Sequence, residues 1–247
     1  MRFRVISRRR ARRDVLLTLL ALLVLALAGV IGERARAAEG VLPPSGPVYS
    51  VRTSQKLVAL GINVVWGTEY VGPLLHALKS DSATATFFLG GAWTEANPAL
   101  ARTLAAAGME IGNHGFQHRH QSLLNFDENL NEITRASRAI ELATGVRPAL
   151  FAPPYGEYNQ TVLRAVQSLH LTLVMWTIDT IDWRPSSSPG LITERVLKKV
   201  RPGAIILMHP TERTKDALPG LLKTLRQDGY KVVSISALLQ SGTASGE

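Results

Sequence analysis

The sequence predicts an α/β domain in which about seven parallel strands curl toward a barrel, behind an N-terminal membrane helix. Three observations predict it. Short apolar runs alternate with helical patterns from Lys56 to Ser234. Polar and aromatic residues collect just after the apolar runs, where a parallel barrel keeps its site. A charge-free apolar stretch, Val15 to Gly32, follows an Arg cluster.

Taken in order, Lys56–Val65 is aliphatic and β-branched, and reads as the first strand. Leu74, Leu75 and Leu78 give Val71–Ser80 helical spacing, and Ala83–Leu89 is a second strand. Pro98 opens a helix that Gly108 ends. Glu110–Asn113 is a third strand. Asp127–Thr144 carries Leu130, Ile133 and Ile140 on one stripe and stops at Gly145. Ala149–Pro153 and Leu171–Thr177 read as strands around a helix at Gln160–Leu169. Pro189–Val200 is a helix, Ala204–Met208 a buried strand, Lys215–Asp228 a helix and Lys231–Ser234 a last strand.

The chain has 247 residues and a net charge of +9, which misleads. Nine of the 28 Lys and Arg, and two of the 19 Asp and Glu, fall in residues 1–37, leaving 19 basic and 17 acidic residues beyond. The remainder has no basic field, so nucleic acid is not an expected partner. Residues 1–14 read as a basic cytoplasmic tail and 15–32 as a transmembrane anchor or signal segment. The length of the apolar run favours the anchor, a single-pass protein of the cell membrane with its C-terminal domain extracytoplasmic. Ala35-Arg36-Ala37 before Ala38 resembles a cleavage site that would make it secreted. Residues 33–52, with Pro43, Pro44 and Pro47, read as a linker, 53–240 as the domain, and 241–247 as a disordered tail. There is no cysteine, hence no disulfide and no thiolate site.

The strand ends carry the candidate chemistry. His114 and His118, four residues apart, can reach one metal ion, and neutral imidazoles suit zinc. Asn63, Trp66 and Glu69 follow the first strand, Pro153-Pro-Tyr155-Gly156 the fourth, Asp179, Asp182 and Trp183 the fifth, and His209 the sixth. Each has a plainer reading. An HxxxH is usually fortuitous, Pro-Pro-Tyr-Gly is first a turn, and Asp179 and Asp182 can serve local backbone. The tryptophans can be core, His209 a satisfied structural residue, and His120 a solvated loop residue.

Together these segments resemble the polysaccharide deacetylase family (NodB homology domain, carbohydrate esterase family 4). The resemblance rests on Ala-Thr-Phe-Phe-Leu-Gly (85–90), Glu-Ile-Gly-Asn-His-Gly-Phe-Gln-His (110–118), Phe-Ala-Pro-Pro-Tyr-Gly (151–156), Asp-Thr-Ile-Asp-Trp (179–183) and Ile-Leu-Met-His-Pro (206–210). The segments around Trp66 and Trp183 look most like its sporulation-associated, YlxY-type subgroup. The resemblance implies a distorted (β/α) barrel, a divalent metal such as zinc, and hydrolysis of the carbon–nitrogen bond of an N-acetylated cell-wall glycan. It implies His114 and His118 as metal ligands and His209 as the acid that protonates the leaving amine. It further implies the Tyr155 backbone N–H at the oxyanion, with Trp183 and Leu207 around the acetyl group.

The first motif departs from that family. Where it has Thr-Phe-Asp-Asp-Gly, this chain has Gly-Ile-Asn63-Val64-Val65-Trp66-Gly67. The base position is Asn63, which cannot take a proton from water. The metal-binding acid falls on Val64 or Val65, and the Arg that braces the base is Ala152. Losing the acid and its Arg together fits a site that changed as a unit, since a buried Arg without a partner costs stability. Two functions follow as expectations. One is a deacetylase with a rearranged site, in which Asp182 or Glu69 acts as base or metal-bound water ionises unaided. The other is a catalytically degenerate, anchored module that binds glycan or a protein.

Overall fold

β2 (Leu57–Val64) is the central strand, and its side chains alternate between two apolar layers. Val58, Leu60, Ile62 and Val64 join the cluster packed under the helices, whereas Ala59 lies in the cluster inside the curl of the sheet with Phe88, Leu150 and Ile205. Period two along the strand thus fixes which residues face inward. Asn63 falls on the inward set and Val64 on the outward one.

The computed structural model describes residues 46–246. The expected basic tail (1–14), the membrane segment (15–32) and most of the linker lie outside the described residues. Among the described residues no helix is long and apolar enough to cross a membrane.

In chain order the elements around β2 are β1 (Ser50–Arg52), α1 (Val71–Ser80), β3 (Thr86–Leu89), α2 (Gly91–Ala96), α3 (Pro98–Ala106) and β4 (Glu110–Asn113). Then come α4 (Phe126–Thr144), β5 (Leu150–Phe151), α5 (Gln160–Ser168), β6 (Thr172–Leu173) and β7 (Ile178–Asp179). Last are α6 (Pro189–Leu197), β8 (Ile205–Met208), α7 (Glu212–Gln227), β9 (Lys231–Val233), α8 (Ile235–Gln240) and β10 (Thr243–Ser245). Seven parallel strands run in the order β6-β5-β4-β3-β2-β8-β7, with β9 paired to the start of β2.

The fold class holds, but closure differs from expectation: the sheet is a partial barrel. Its edge strands β6 and β7 belong to one stretch, the predicted strand Leu171–Thr177 and its continuation. That stretch pairs with β5 at one end and β8 at the other, so chain continuity spans the gap. The entering chain plugs the same gap. Val48 bridges Val174 and Ser50 bridges Ala204.

Helix signals worked where caps were explicit. Asn125 and Glu128 form a reciprocal capping box on α4, and Gly145 ends it with φ +73°. Pro opens α3 and α6. Two expectations are corrected. Residues 50–52, placed in the linker, form β1. Residues 243–245, placed in a disordered tail, form β10, antiparallel to β1.

Candidate active site

At the C-terminal ends of the strands lies a cleft of about 440 Å³. Asn63 sits at its floor on the end of β2. The residue is 4% exposed, and its Oδ1 is buried with no hydrogen-bond partner. Neither Val64 nor Val65 lines the cleft. Val64 is fully buried in the helix-side layer. Ala152, at the end of β5, packs inside the sheet below.

β4 delivers His114. The strand approaches β3 closely because Gly112 has no side chain; a Cβ there would lie 2.4 Å from the Phe88 ring. His114 is 1% exposed, and its Nδ1 donates to the Ala152 carbonyl at 2.7 Å. A carbonyl only accepts, so Nδ1 carries the proton and the neutral ring keeps a lone pair on Nε2. Burial, reinforced by neighbouring His118 and His209 and partly offset by the Ala152 carbonyl, pushes the His114 pKa down to about 3.

His118 is reached through a tight turn. Gly115 has φ +73° and His118 itself φ +54°. Asn113 Oδ1 accepts the Gly115 N–H at 2.8 Å, while its amide donates to Ile133 O and Ser137 Oγ on α4. Glu132, buried on α4, accepts the N–H groups of Phe116 and Gln117 at 3.0 and 2.9 Å. The His118 ring lies 5.2 Å from that of His114. Burial first, then His209 and His120, hold its pKa below the usual value.

Tyr155, in the turn after β5, has φ +59° and a largely exposed ring. The ring sits between His118 at 4.4 Å and His120 at 4.0 Å. His120 is an exposed loop residue, as expected; it also stacks on Tyr155 and pairs with Glu157 at 3.0 Å.

On the far side, Asp182 and His209 form a buried pair. Asp182 Oδ1 lies 2.8 Å from His209 Nδ1. Its Oδ2 accepts the His209 backbone N–H and the Thr214 hydroxyl, both at 2.6 Å. Asp182 is fully buried behind His209, with its acceptor directions engaged. It does not line the cleft, contrary to its expected place as a base facing water. Glu69 does not line it either; its carboxylate accepts the Thr68 N–H at 2.9 Å. Asp179 does line it, with Oδ1 accepting the Ile181 N–H at 2.7 Å. Leu207 is buried at the floor, and Trp183 is half-exposed at the mouth. Trp66 lies over His209, ring centroids 5.5 Å apart.

The sequence reading missed Glu132 and Thr214. Glu132 had a signal, as an acid one residue before Ile133 on the buried stripe of α4. Thr214 had none, since its partner is far away in the chain.

The donor set does not fit the metal that the family pattern implies. Among the described residues no group of three or more His, Cys, Asp or Glu is placed to hold an ion. Two imidazoles and an amide oxygen remain where a carboxylate is required.

Comparisons with known proteins agree with this geometry. The polysaccharide deacetylase profile matches residues 50–174. The uncharacterized protein YlxY of Bacillus subtilis is 37% identical over 193 residues, covering 78% of this chain and 60% of YlxY. A peptidoglycan-N-acetylglucosamine deacetylase of Bacillus cereus is 32% identical over 178 residues, covering 70% and 64%. The chain thus spans about three-fifths of the length of these relatives. BA3943 of Bacillus anthracis, a CE4 family pseudoenzyme, superposes with a TM-score of 0.77 at 39% identity, covering 79% of this chain and 69% of that one. A BA3943 mutant with restored enzymatic activity gives the same TM-score. With the partial barrel, the ordered motifs and these likenesses in hand, the chain belongs to the polysaccharide deacetylase family, which includes peptidoglycan deacetylases.

Proposed function

We propose that this chain is a non-hydrolysing member of its family that holds cell-wall glycan in the former deacetylase cleft, tethered to the membrane by residues 15–32. The observation that carries this reading is Asn63. The cleft-floor position that in the family holds the catalytic base is an amide, and an amide does not take a proton from water. The changes around it are consistent. The bracing Arg is Ala152, and the acid position is apolar, with Val64 packed among the outer aliphatics. The likeness to BA3943 supports the same reading.

The cleft keeps what binding needs. Trp66, Tyr155 and Trp183 present partly exposed rings at the mouth, and Leu207 gives an apolar floor for the acyl or ring carbons of a sugar. Trp183 and Leu207 shape the pocket, and the Tyr155 backbone N–H faces the bound sugar.

One observation favours a second reading. The Asp182–His209–Thr214 network is intact, and a His so held is suited to protonating a leaving amine. On that reading the chain is a hydrolase of carbon–nitrogen bonds in N-acetylated glycan.

Purified full chain, incubated with peptidoglycan fragments and zinc, separates the two. Pull-down of glycan that survives His209→Ala, with no acetate released, is the expected result. Acetate release that His209→Ala abolishes would establish the hydrolase instead.

A further inference from the structure

The near balance of 19 basic and 17 acidic residues beyond residue 37 hides an uneven placement along the barrel axis. At the N-terminal ends of the strands, opposite the cleft, exposed cations gather from separate loops. Arg52 and Lys56 bracket the turn from β1 to β2, Lys198, Lys199 and Arg201 lie between α6 and β8, and Lys231 opens β9. Backbone hydrogen bonds make these segments neighbours. The Gly203 N–H donates to the Leu57 carbonyl at 2.8 Å, that of Val51 to Gly203 at 2.9 Å, and that of Lys231 to Lys56 at 2.8 Å.

Most carboxylates at this end are committed. Glu194 pairs with Lys198, Asp81 with Arg226 at 3.3 Å, and Glu110 accepts the Thr86 hydroxyl and the Ser236 N–H. Asp228 and Glu141 are exposed, and so are Lys79 and Arg147 at the same end. Among the described residues, Arg52, Lys199, Arg201 and Lys231 form no ion pair. The cleft end has the reverse balance, with Glu69, Asp127, Glu128, Glu157, Glu212 and Asp216 against Arg119, Arg184, Arg213 and Lys215. The domain is therefore polarised, positive at the end away from the cleft.

The described chain enters beside the basic end. Ser50 bridges Ala204, just before β8, and β1 runs on to Arg52. Residues 33–45, fully extended, reach at most about 45 Å. With residues 15–32 read as a membrane tether, the basic end stays within reach of a bilayer. Contacts too weak to hold a free protein then act at high effective concentration.

We infer that the end of the barrel bearing Arg52, Lys199, Arg201 and Lys231 docks on an anionic phospholipid surface, that of the membrane carrying the tether. So docked, the domain opens its cleft away from the bilayer. The inference rests on the tether reading and not on what the cleft binds. A soluble polyanion would find the same charges, but the chain itself brings only a bilayer to them.

The test uses the full chain, which has no cysteine, reconstituted in nanodiscs. A donor dye is placed on Ser54→Cys at the basic end or on Ser186→Cys at the cleft end, both exposed positions. Lipid headgroups carry the acceptor. In discs of mixed phosphatidylglycerol and phosphatidylcholine, single-molecule energy transfer should show a close state for the Ser54 label and a distant one for the Ser186 label. Discs of phosphatidylcholine alone should lose the close state. Each Lys or Arg at an anionic surface contributes about fivefold. Arg52→Gln, Lys199→Gln, Arg201→Gln and Lys231→Gln together should therefore lower the docked-to-free ratio at least about tenfold. Salt at about 1 M, where the screening length is about 3 Å, should do the same to the unaltered chain. A chain held in both discs with no dependence on lipid charge overturns the inference alone, as does a close state for the Ser186 label. If polyphosphate then binds the chain and not the Gln variant, the face belongs to a soluble polyanion. A chain that stays free of both discs overturns the tether reading and the inference with it.

Discussion

Asp182 and His209 are joined twice, through the imidazole Nδ1 at 2.8 Å and through the His209 backbone N–H at 2.6 Å. One carboxylate thereby sets both the ring orientation of His209 and the path of the chain leaving β8. Asp182→Ala should cost roughly 3 kcal/mol, because it strands the Thr214 hydroxyl and two donors of His209 in a buried site. Urea unfolding of the two proteins checks this. Thr214→Val, which removes a single donor, should cost less.

The depressed pKa of His114 makes stability depend on pH. The unfolded ring takes a proton near pH 6.5, whereas the folded ring resists to about 3. Below pH 6.5 the unfolded state therefore binds more protons, and stability falls as pH drops toward 3. The loss is about 1.4 kcal/mol per pH unit within that window. His114→Gln should flatten the curve between pH 6.5 and 3, as seen in urea midpoints across that range.

Glu132 ties the His118 turn to α4 through the N–H groups of Phe116 and Gln117. Glu132→Ala should destabilise by roughly 2 kcal/mol. It should also speed amide hydrogen exchange at Phe116 and Gln117 while leaving β3 protected.

A Cβ at Gly203 would stand 1.7 Å from the Val51 carbonyl oxygen, and its φ is +80°. Gly203→Ala should cost about 3 kcal/mol or more, since both the backbone conformation and the closure of the barrel gap are lost. Thermal unfolding reads it directly, with Gly108→Ala, which meets open space at the same φ, as the control.

The two candidate positions for a restored metal acid should behave differently. Val64 is wholly buried among aliphatic side chains, so Val64→Asp should cost roughly 3 kcal/mol without metal. Val65 is only partly buried, and Val65→Asp should cost about 1 kcal/mol or less. Chemical denaturation, repeated with added zinc, shows whether either carboxylate is rescued by the ion.

Much of this was readable in the chain. α1 and β4 fall at their predicted residues because spacing and flanking turn residues agree. β1 and β10 were missed because three-residue strands carry no period, and their pairing is a contact between distant segments. The end of the strand after Leu173, and the start of β7 only at Ile178, were missed for a related reason. A largely apolar run does not say which residues in it or beyond it join opposite edges of a sheet. At the site, the motifs named the cleft residues, but not which of the acids turn away. Asp182 and Asp179 are three residues apart with similar neighbours. Only the packing puts one behind His209 and the other in the cleft.

The pairing of Ser50 with Ser245 has one more consequence. Where the described chain enters the domain it also leaves, since a Cβ on Gly246 would lie 3.7 Å from the Pro47 carbonyl oxygen. Such a domain is a cassette. A short splice could join its ends and fresh termini be opened in a surface loop, or the whole unit be set into another protein's loop, with the cleft at the strand ends left as it is.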